Sequence, residues 1–327
     1  MIGYYAVAAL VIAFIASATI GRFLIPVLHK LNYGQPIKDI GPTWHKQKQG
    51  TPTMGGIMFV IAVLLSLLLI LPVFSIQQKA KFPSAELAGL AMALIFTAMG
   101  IADDWIKIKH GKNDGLSALQ KLAIQFIAAG GYLWVLYLTG VRTTHIPFLG
   151  EIAIGAWYYP VALIFIVGTV NAVNLTDGVD GLCGSVTFFN ALFFMLGAAL
   201  ISLGQTSLLA AALAGAVLGF LIWNFYPAKV FMGDTGSMFL GGMVVALAFG
   251  INMPILLVPV GIIYYAEAGS VMLQVLYFKA THGKRLFKMS PIHHHYEMKG
   301  WSETKIVTIF CTVTILMAIG SLFLIVR

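Results

Sequence analysis

The sequence predicts an all-α polytopic membrane protein. Apolar residues make up 59% of the 327 positions and charged residues only 10%, and the mean hydropathy is +0.91, well outside the range of soluble domains. The apolar residues also fall in long continuous runs. A helix needs about 20 of them to cross roughly 30 Å of hydrocarbon, and ten runs are candidates: Ile2 to Leu28, Thr53 to Phe74, Ala85 to Trp105, Leu116 to Leu138, Tyr158 to Val173, Leu182 to Leu203, Thr206 to Phe225, Ser237 to Ile251, Pro254 to Phe278, and Lys305 to Val326. Barrel strands would instead alternate with period two in segments of about ten residues. One integral-membrane domain over residues 1–327 is expected.

Orientation follows from the basic residues. Most lysines and arginines lie in the loops after spans one, three, seven and nine, whereas the opposite side has only Lys79, Lys81, Arg142 and Arg327. By the positive-inside rule those loops face the cytoplasm and both termini face outward. The net charge of +8 is then a topology signal, and nucleic-acid binding is the weaker reading. The first span has its basic residues, Arg22 and Lys30, after the apolar stretch, unlike a cleavable signal peptide. Cys183 and Cys311 lack CxxC spacing and read as apolar fillers.

Taken in order, the first cytoplasmic loop ends in HKQKQGTPTMGG, which brings Lys46 and Lys48 to the mouth of span two. Lysines here suit lipid headgroups, and the glycine pair Gly55-Gly56 suggests a phosphate contact. Span three ends in Asp103-Asp104, which on a helix point about 100° apart and must do different jobs; Lys107 is placed to neutralise one of them. The outer loop from Arg142 to Gly155 alternates polar and apolar residues, as a small hairpin would.

Spans five and six are separated by NAVNLTDGVDGLCG, with Asp177 and Asp180 among glycines. Asx turns are the plain explanation. Spans seven and eight are joined by a loop ending in FMGDTGS, where Asp234 and Thr235 are expected to cap the next helix. A helix N-terminus also binds phosphate, and Phe231 offers a flat face for stacking. Spans five and eight are short, so their cytoplasmic ends are expected in a wet recess.

Span nine holds Pro254, Pro259, Glu267 and Gln274 and is expected to kink or break. The last loop carries SPIHHHYE, in which consecutive histidines diverge, leaving one or two able to reach a site.

The aspartates are decisive as a group. All seven, Asp39, Asp103, Asp104, Asp114, Asp177, Asp180 and Asp234, fall on the predicted cytoplasmic side. Two carboxylates about 6 Å apart repel by roughly 3 kcal/mol at an effective dielectric near 20, so a convergent set requires a cation. Oxygen-only ligands point to Mg²⁺ or Mn²⁺, and Mg²⁺ at a membrane surface suits phosphoryl transfer from a diphosphate.

NLTDGVDGL, FMGDTGS, the ADD of residues 102–104, GTPTMGG and MSPIHHHYE together resemble the phospho-N-acetylmuramoyl-pentapeptide transferases. These form one branch of the polyprenyl-phosphate N-acetylhexosamine-1-phosphate transferase superfamily. The aspartate motifs are shared across that superfamily, and the histidine triplet marks the branch. The resemblance implies Mg²⁺-dependent transfer of phospho-MurNAc-pentapeptide from UDP-MurNAc-pentapeptide to undecaprenyl phosphate, forming lipid I and UMP in peptidoglycan synthesis at the bacterial plasma membrane. It also implies a homodimer and sensitivity to nucleoside inhibitors.

Carried over by motif, Asp234 resembles the metal ligand, Asp103 the base or nucleophile, and Asp104 a helper at the diphosphate. Asn174, Asp177, Gly178, Asp180 and Phe231 resemble the uridine pocket, with Lys46 or Lys48 nearby. His293, His294 and His295 resemble the sugar-peptide and phosphate side, with His293 the catalytic candidate. Thr51, Ser237 and Gln274 complete the expected substrate contacts. The alternatives are a sister transferase using UDP-GlcNAc and, from another class, a cation-coupled transporter.

Overall fold

A computed structural model describes residues 2–31, 48, 50–78, 84–110 and 114–325. Lys46 and Asp39 lie outside the described residues.

Long helices dominate: α1 (Ile2–Lys30), α2 (Gly56–Gln78), α3 (Ser84–His110), α4 (Ala118–Leu138), α5 (Tyr158–Leu175), α6 (Leu182–Leu200), α7 (Gly204–Asn224), α8 (Gly233–Gly250) and α12 (Glu303–Ile325). Each of these nine, among the described residues, is long and apolar enough to cross a membrane. A tenth candidate is the pair α9 (Leu257–Val260) and α10 (Ile262–Ala280), which meet at 78° on either side of Gly261. The six-residue helix α11 (Ile292–Glu297) carries the histidines. The small hairpin forms as expected, with strand β1 (Thr144–Ile146) antiparallel to β2 (Gly150–Ile152) and Thr144 opposite Ile152.

Burial divides the helices into an interior and a rim. The most apolar stretches of α7 and α8 are 83% buried, against 28% for α1. Phe59 of α2 links the two interior helices, its ring edge-on to Phe220 of α7 at 5.1 Å and tilted against Phe239 of α8 at 6.1 Å. Such pairs add about 0.5–1.5 kcal/mol beyond their burial. Without a solvent-driven hydrophobic effect between helices in lipid, close backbone approach does much of the joining. At Gly215 a Cβ would lie 2.0 Å from the carbonyl oxygen of Leu10, and at Gly219 it would lie 2.5 Å from that of Phe14. Glycine is therefore what lets α1 seat on α7.

Some boundaries differ from the sequence reading in ways that shape the site. Helix α8 begins at Gly233, four residues before the expected Ser237, so Asp234 belongs to its first turn. Helix α3 continues past Trp105 to His110, which puts Lys107 on the same helix as Asp103. Gly55 and Gly56 donate their amides to the carbonyls of Phe231 and Met232. Those N–H groups are thus committed to backbone pairing, and the phosphate contact expected of the glycine pair is corrected to a packing role. A Cβ on Gly56 would sit 2.3 Å from Cα of Gly236.

Replacing Gly215 by valine is expected to lower the melting temperature of the detergent-solubilised protein by several degrees, the scale of an overpacking cost of about 1–3 kcal/mol. Thermal unfolding of the purified variant checks this.

Candidate active site

The site forms where one end of α3, α5 and α8 meets the start of α4. Asp103 and Asp104 do divide their work. Asp104, fully buried, reaches the N-terminus of α8, where Oδ1 accepts from the amide of Asp234 (3.2 Å) and Oδ2 from the amide and hydroxyl of Thr235 (2.9 and 2.8 Å). The first amides of a helix lack intrahelical partners and favour negative charge. The expected local cap by Asp234 and Thr235 is therefore replaced by one supplied from another helix.

Asp103 turns toward lysines. Its Oδ2 lies 2.6 Å from Lys107, four residues on, and its Oδ1 lies 3.0 Å from Lys121 and accepts from the amide of Leu116 at 2.7 Å. Lys121 is aimed by a capping box at the start of α4, in which Ser117 and Gln120 exchange side-chain and backbone hydrogen bonds. The same two ammonium groups reach Asp234 Oδ2, Lys121 at 2.6 Å and Lys107 at 3.4 Å. Asp234 Oδ1 accepts from Asn174 (3.0 Å), whose amide also donates to Ser237 (2.8 Å). One carboxylate oxygen from each of Asp103, Asp104 and Asp234 lies within 4.8 Å of the others. Among the described residues, these three form the group able to hold a metal ion.

A cavity of about 260 Å³ opens beside this cluster, lined by Asp234, Asn174, Asp177, Gly178, Phe231 and Lys48, among others. The backbone amide of Asp177 donates to the carbonyl of Asn174 (3.2 Å), whereas its carboxyl group has no hydrogen-bond or ion-pair partner among the described residues. Burial pushes its carboxyl up to about 8, and the charges of Asp234, Asp104 and Asp180 add to the shift. Asp180 is engaged by contrast. It accepts from the amide of Ala228 (2.9 Å) and pairs with Lys48 (2.7 Å), which also meets Glu303 at the start of α12 (2.6 Å). Burial opposes the charge on Lys48, but Asp180 and Glu303 outweigh it and hold the ammonium above the ordinary lysine value.

His293 is buried behind Gly178. Its Nδ1 lies 3.0 Å from Glu267 of α10, and a Cβ on Gly178 would lie 2.2 Å from its Nε2. Other expected residues lie apart from the cavity. Gln274 accepts from the amides of Leu286 and Phe287, His294 pairs with Glu297 at 2.6 Å, and His295 accepts from the amide of Lys288. All three brace the segment around α11. Thr51 does not line the cavity either, whereas Thr53 does, with its hydroxyl buried and unpartnered.

Sequence reasoning missed Lys121, Thr53 and Glu303. Lys121 sits in a span start without an acidic neighbour in sequence, and its signal was the Ser117–Gln120 capping pair that fixes where its helix begins.

The profile of Glycosyl transferase family 4 matches residues 87–252, and the first signature of the phospho-N-acetylmuramoyl-pentapeptide-transferases matches residues 48–60. A phospho-N-acetylmuramoyl-pentapeptide-transferase from Clostridium perfringens strain SM101 is 46% identical over 94% of this chain and 93% of its own length. The chain belongs to this family. Proteins of the same name from Clostridioides difficile and Clostridium novyi are 45% and 44% identical, covering 94% and 96% of this chain and 94% and 95% of their own lengths. The family signature covers Lys48, Thr51 and Thr53, the segment that pairs with the loop before α8.

A pH dependence follows from Asp177. The unfolded chain releases that proton near the ordinary aspartate value of about 4, whereas the folded protein keeps it until about pH 8. Between these values the folded state binds more protons, so its stability falls as pH rises. In cation-free protein the melting temperature should decline across this window more steeply than in Asp177→Asn, as differential scanning fluorimetry at stepped pH would show.

Proposed function

We infer that this chain transfers phospho-MurNAc-pentapeptide from UDP-MurNAc-pentapeptide to undecaprenyl phosphate, forming lipid I and UMP in bacterial peptidoglycan synthesis. The observation that carries the reading is an acidic cavity beside three convergent carboxylates in a chain of this family. A phosphate oxygen of the lipid attacks the phosphorus next to the sugar. The new P–O bond completes the lipid diphosphate, and the bond to UMP breaks with its electron pair leaving on UMP.

The donor set fits Mg²⁺. Its atoms are all carboxylate oxygens, the ligands a hard cation prefers. Across the site Asp103, Asp104, Asp177, Asp180, Asp234 and Glu303 outnumber Lys48, Lys107 and Lys121. An anionic diphosphate would be repelled from it. Bound Mg²⁺ supplies the positive charge that neutralises the diphosphate and its leaving group. Asp234, whose side chain is 16% exposed and borders the cavity, would hold the ion with Asp103 and Asp104 beside it.

The other roles follow from position. Asp104 fixes the first turn of α8 and so aims Asp234. Asp103 is fully buried and does not border the cavity; its oxygens are occupied by Lys107, Lys121 and Leu116. That supports direct attack by the lipid phosphate over a covalent phospho-enzyme on Asp103, with Asp103 holding the two lysines that meet developing negative charge. Asn174, Asp177, Gly178 and Phe231 form the wall against which uridine is placed, and Lys48 with Asp180 closes one side. The histidine-bearing α11 stands on the sugar-phosphate side.

The site end of the bundle also carries Lys107, Lys109 and Lys279, so it faces the cytoplasm and both termini face outward. On this reading α9 and α10 are one broken span, and the enzyme works as a homodimer open to nucleoside inhibitors.

The signature match favours the muramoyl branch over the sister enzyme. Purified protein given radiolabelled UDP-MurNAc-pentapeptide and UDP-GlcNAc side by side, each with a polyprenyl phosphate, should label lipid from the first only. Asp234→Asn and Asp103→Asn should each lower turnover by about 10²-fold or more, and chelation should stop it until Mg²⁺ is restored. Near-normal turnover of either variant in excess Mg²⁺ would remove that residue from its role.

A further inference from the structure

Helix α10 carries a glutamate, Glu267, that takes no direct part in the transfer reaction. Glu267 is fully buried, and its neighbours along the helix, Ala266, Ala268 and Gly269, offer no side-chain partner. A carboxyl group in such a place is expensive unless it is hydrogen-bonded. Its Oε2 takes the Nδ1 of His293 at 3.0 Å and lies 3.4 Å from the backbone amide of the same residue. Among the described residues its other oxygen, Oε1, has no hydrogen-bond partner, and neither has Nε2 of His293, a residue that is 1% exposed.

Two buried polar atoms left open in one pair mark a pair built for something besides packing. Their direction says what. A carboxylate only accepts, so the Nδ1 proton is committed to Glu267 and Nε2 becomes the nitrogen free to act. Nε2 faces Gly178, and Gly178 lines the cavity. With no side chain at position 178, the imidazole edge lies behind a wall one backbone thick. Any larger residue would displace the ring.

The arrangement lies between a bend and a short helix. Glu267 comes six residues after the bend at Gly261, and His293 sits at the start of α11, whose own backbone is anchored to Glu267 through the His293 amide. The glutamate thus fixes both where the ring stands and which of its nitrogens turns toward the cavity.

We propose that Glu267 is the positioning residue of His293, orienting the imidazole so that Nε2 is presented past Gly178 to the diphosphate of the nucleotide sugar. The proposal rests on the transferase reading above. Glu267 touches no substrate and acts through the histidine. The same logic, a buried carboxylate setting the tautomer and orientation of a histidine, operates in hydrolytic triads, where loss of the carboxylate's charge costs up to about 10⁴-fold in rate.

The experiment is a double-mutant cycle on the full-length protein in detergent, measured as UMP release from UDP-MurNAc-pentapeptide and polyprenyl phosphate. Glu267→Ala should lower kcat by about 10²-fold with the KM for the nucleotide sugar changed less than about threefold. Glu267→Gln keeps the shape but loses the charge that fixes the tautomer, and should be impaired in kcat to at least a similar extent, again with little change in KM. In a His293→Ala background, Glu267→Ala should add nothing, because its effect passes through the ring. Additive losses, or a Glu267→Gln variant with near-normal kcat, would mean that Glu267 serves only the fold and would overturn the proposal. Absence of UMP release by the unmodified protein would instead refute the transferase reading itself.

Discussion

The structure depends on holding like charges together where water is scarce. Three carboxylates whose oxygens lie within 4.8 Å repel pairwise by about 3.5 kcal/mol or more at an effective dielectric near 20. Each is compensated differently. Asp104 spends its charge on the amides opening α8, Asp103 on two lysines and a backbone amide, and Asp234 shares those lysines while taking the Asn174 amide. Only Asp234 of the three borders the cavity. The buried pair therefore fixes the geometry, and the partly exposed member is the one open to the cavity.

That compensation works only if backbones approach closely. A Cβ on Gly100 would lie 2.3 Å from the carbonyl oxygen of Asp234, and one on Gly233 would lie 2.4 Å from Asp104 Oδ2. Gly233 also has a φ of +69°, a conformation that side chains other than glycine rarely adopt. The glycines around FMGDTGS thus let α3 lie against α8 near enough for a carboxylate on one to cap the other. Electrostatics sets what must meet, and the absence of side chains makes the meeting sterically possible.

Much of this was legible beforehand, for identifiable reasons. The spans were readable because hydrocarbon demands long apolar runs, and the aspartates because charge near such runs stands out. The divergence of Asp103 from Asp104 followed from helix periodicity alone. The roles of Gly55 and Gly56 were not legible, because glycine serves phosphate binding and close packing equally well. Lys121 and Glu303 were missed because their partners lie 18 and 123 residues away, at Asp103 and Asp180, and no local pattern encodes such a pairing. Gln274, His294 and His295 were expected at the substrate through the motif resemblance; their hydrogen bonds and ion pair go to Leu286, Phe287, Glu297 and Lys288, around α11.

The distribution of charge along α3 also separates group transfer at one surface from ion passage across the membrane. Glu86 stands in the first turn of the helix, bonded to Thr206 at 2.9 Å, and the next ionisable residue is Asp103. At 1.5 Å per residue the gap is about 25 Å, most of the hydrocarbon thickness. The interior helices α7 and α8 add no ionisable side chain beyond Asp234. An ion crossing the bilayer would need stepping stones near its middle, and along these helices there are none. The same carboxylates gathered at one end can serve a reaction whose diphosphate stays at the membrane surface while only the lipid tail enters the apolar phase. A charged pocket at one end of a long apolar bundle is the arrangement that such an amphipathic substrate requires.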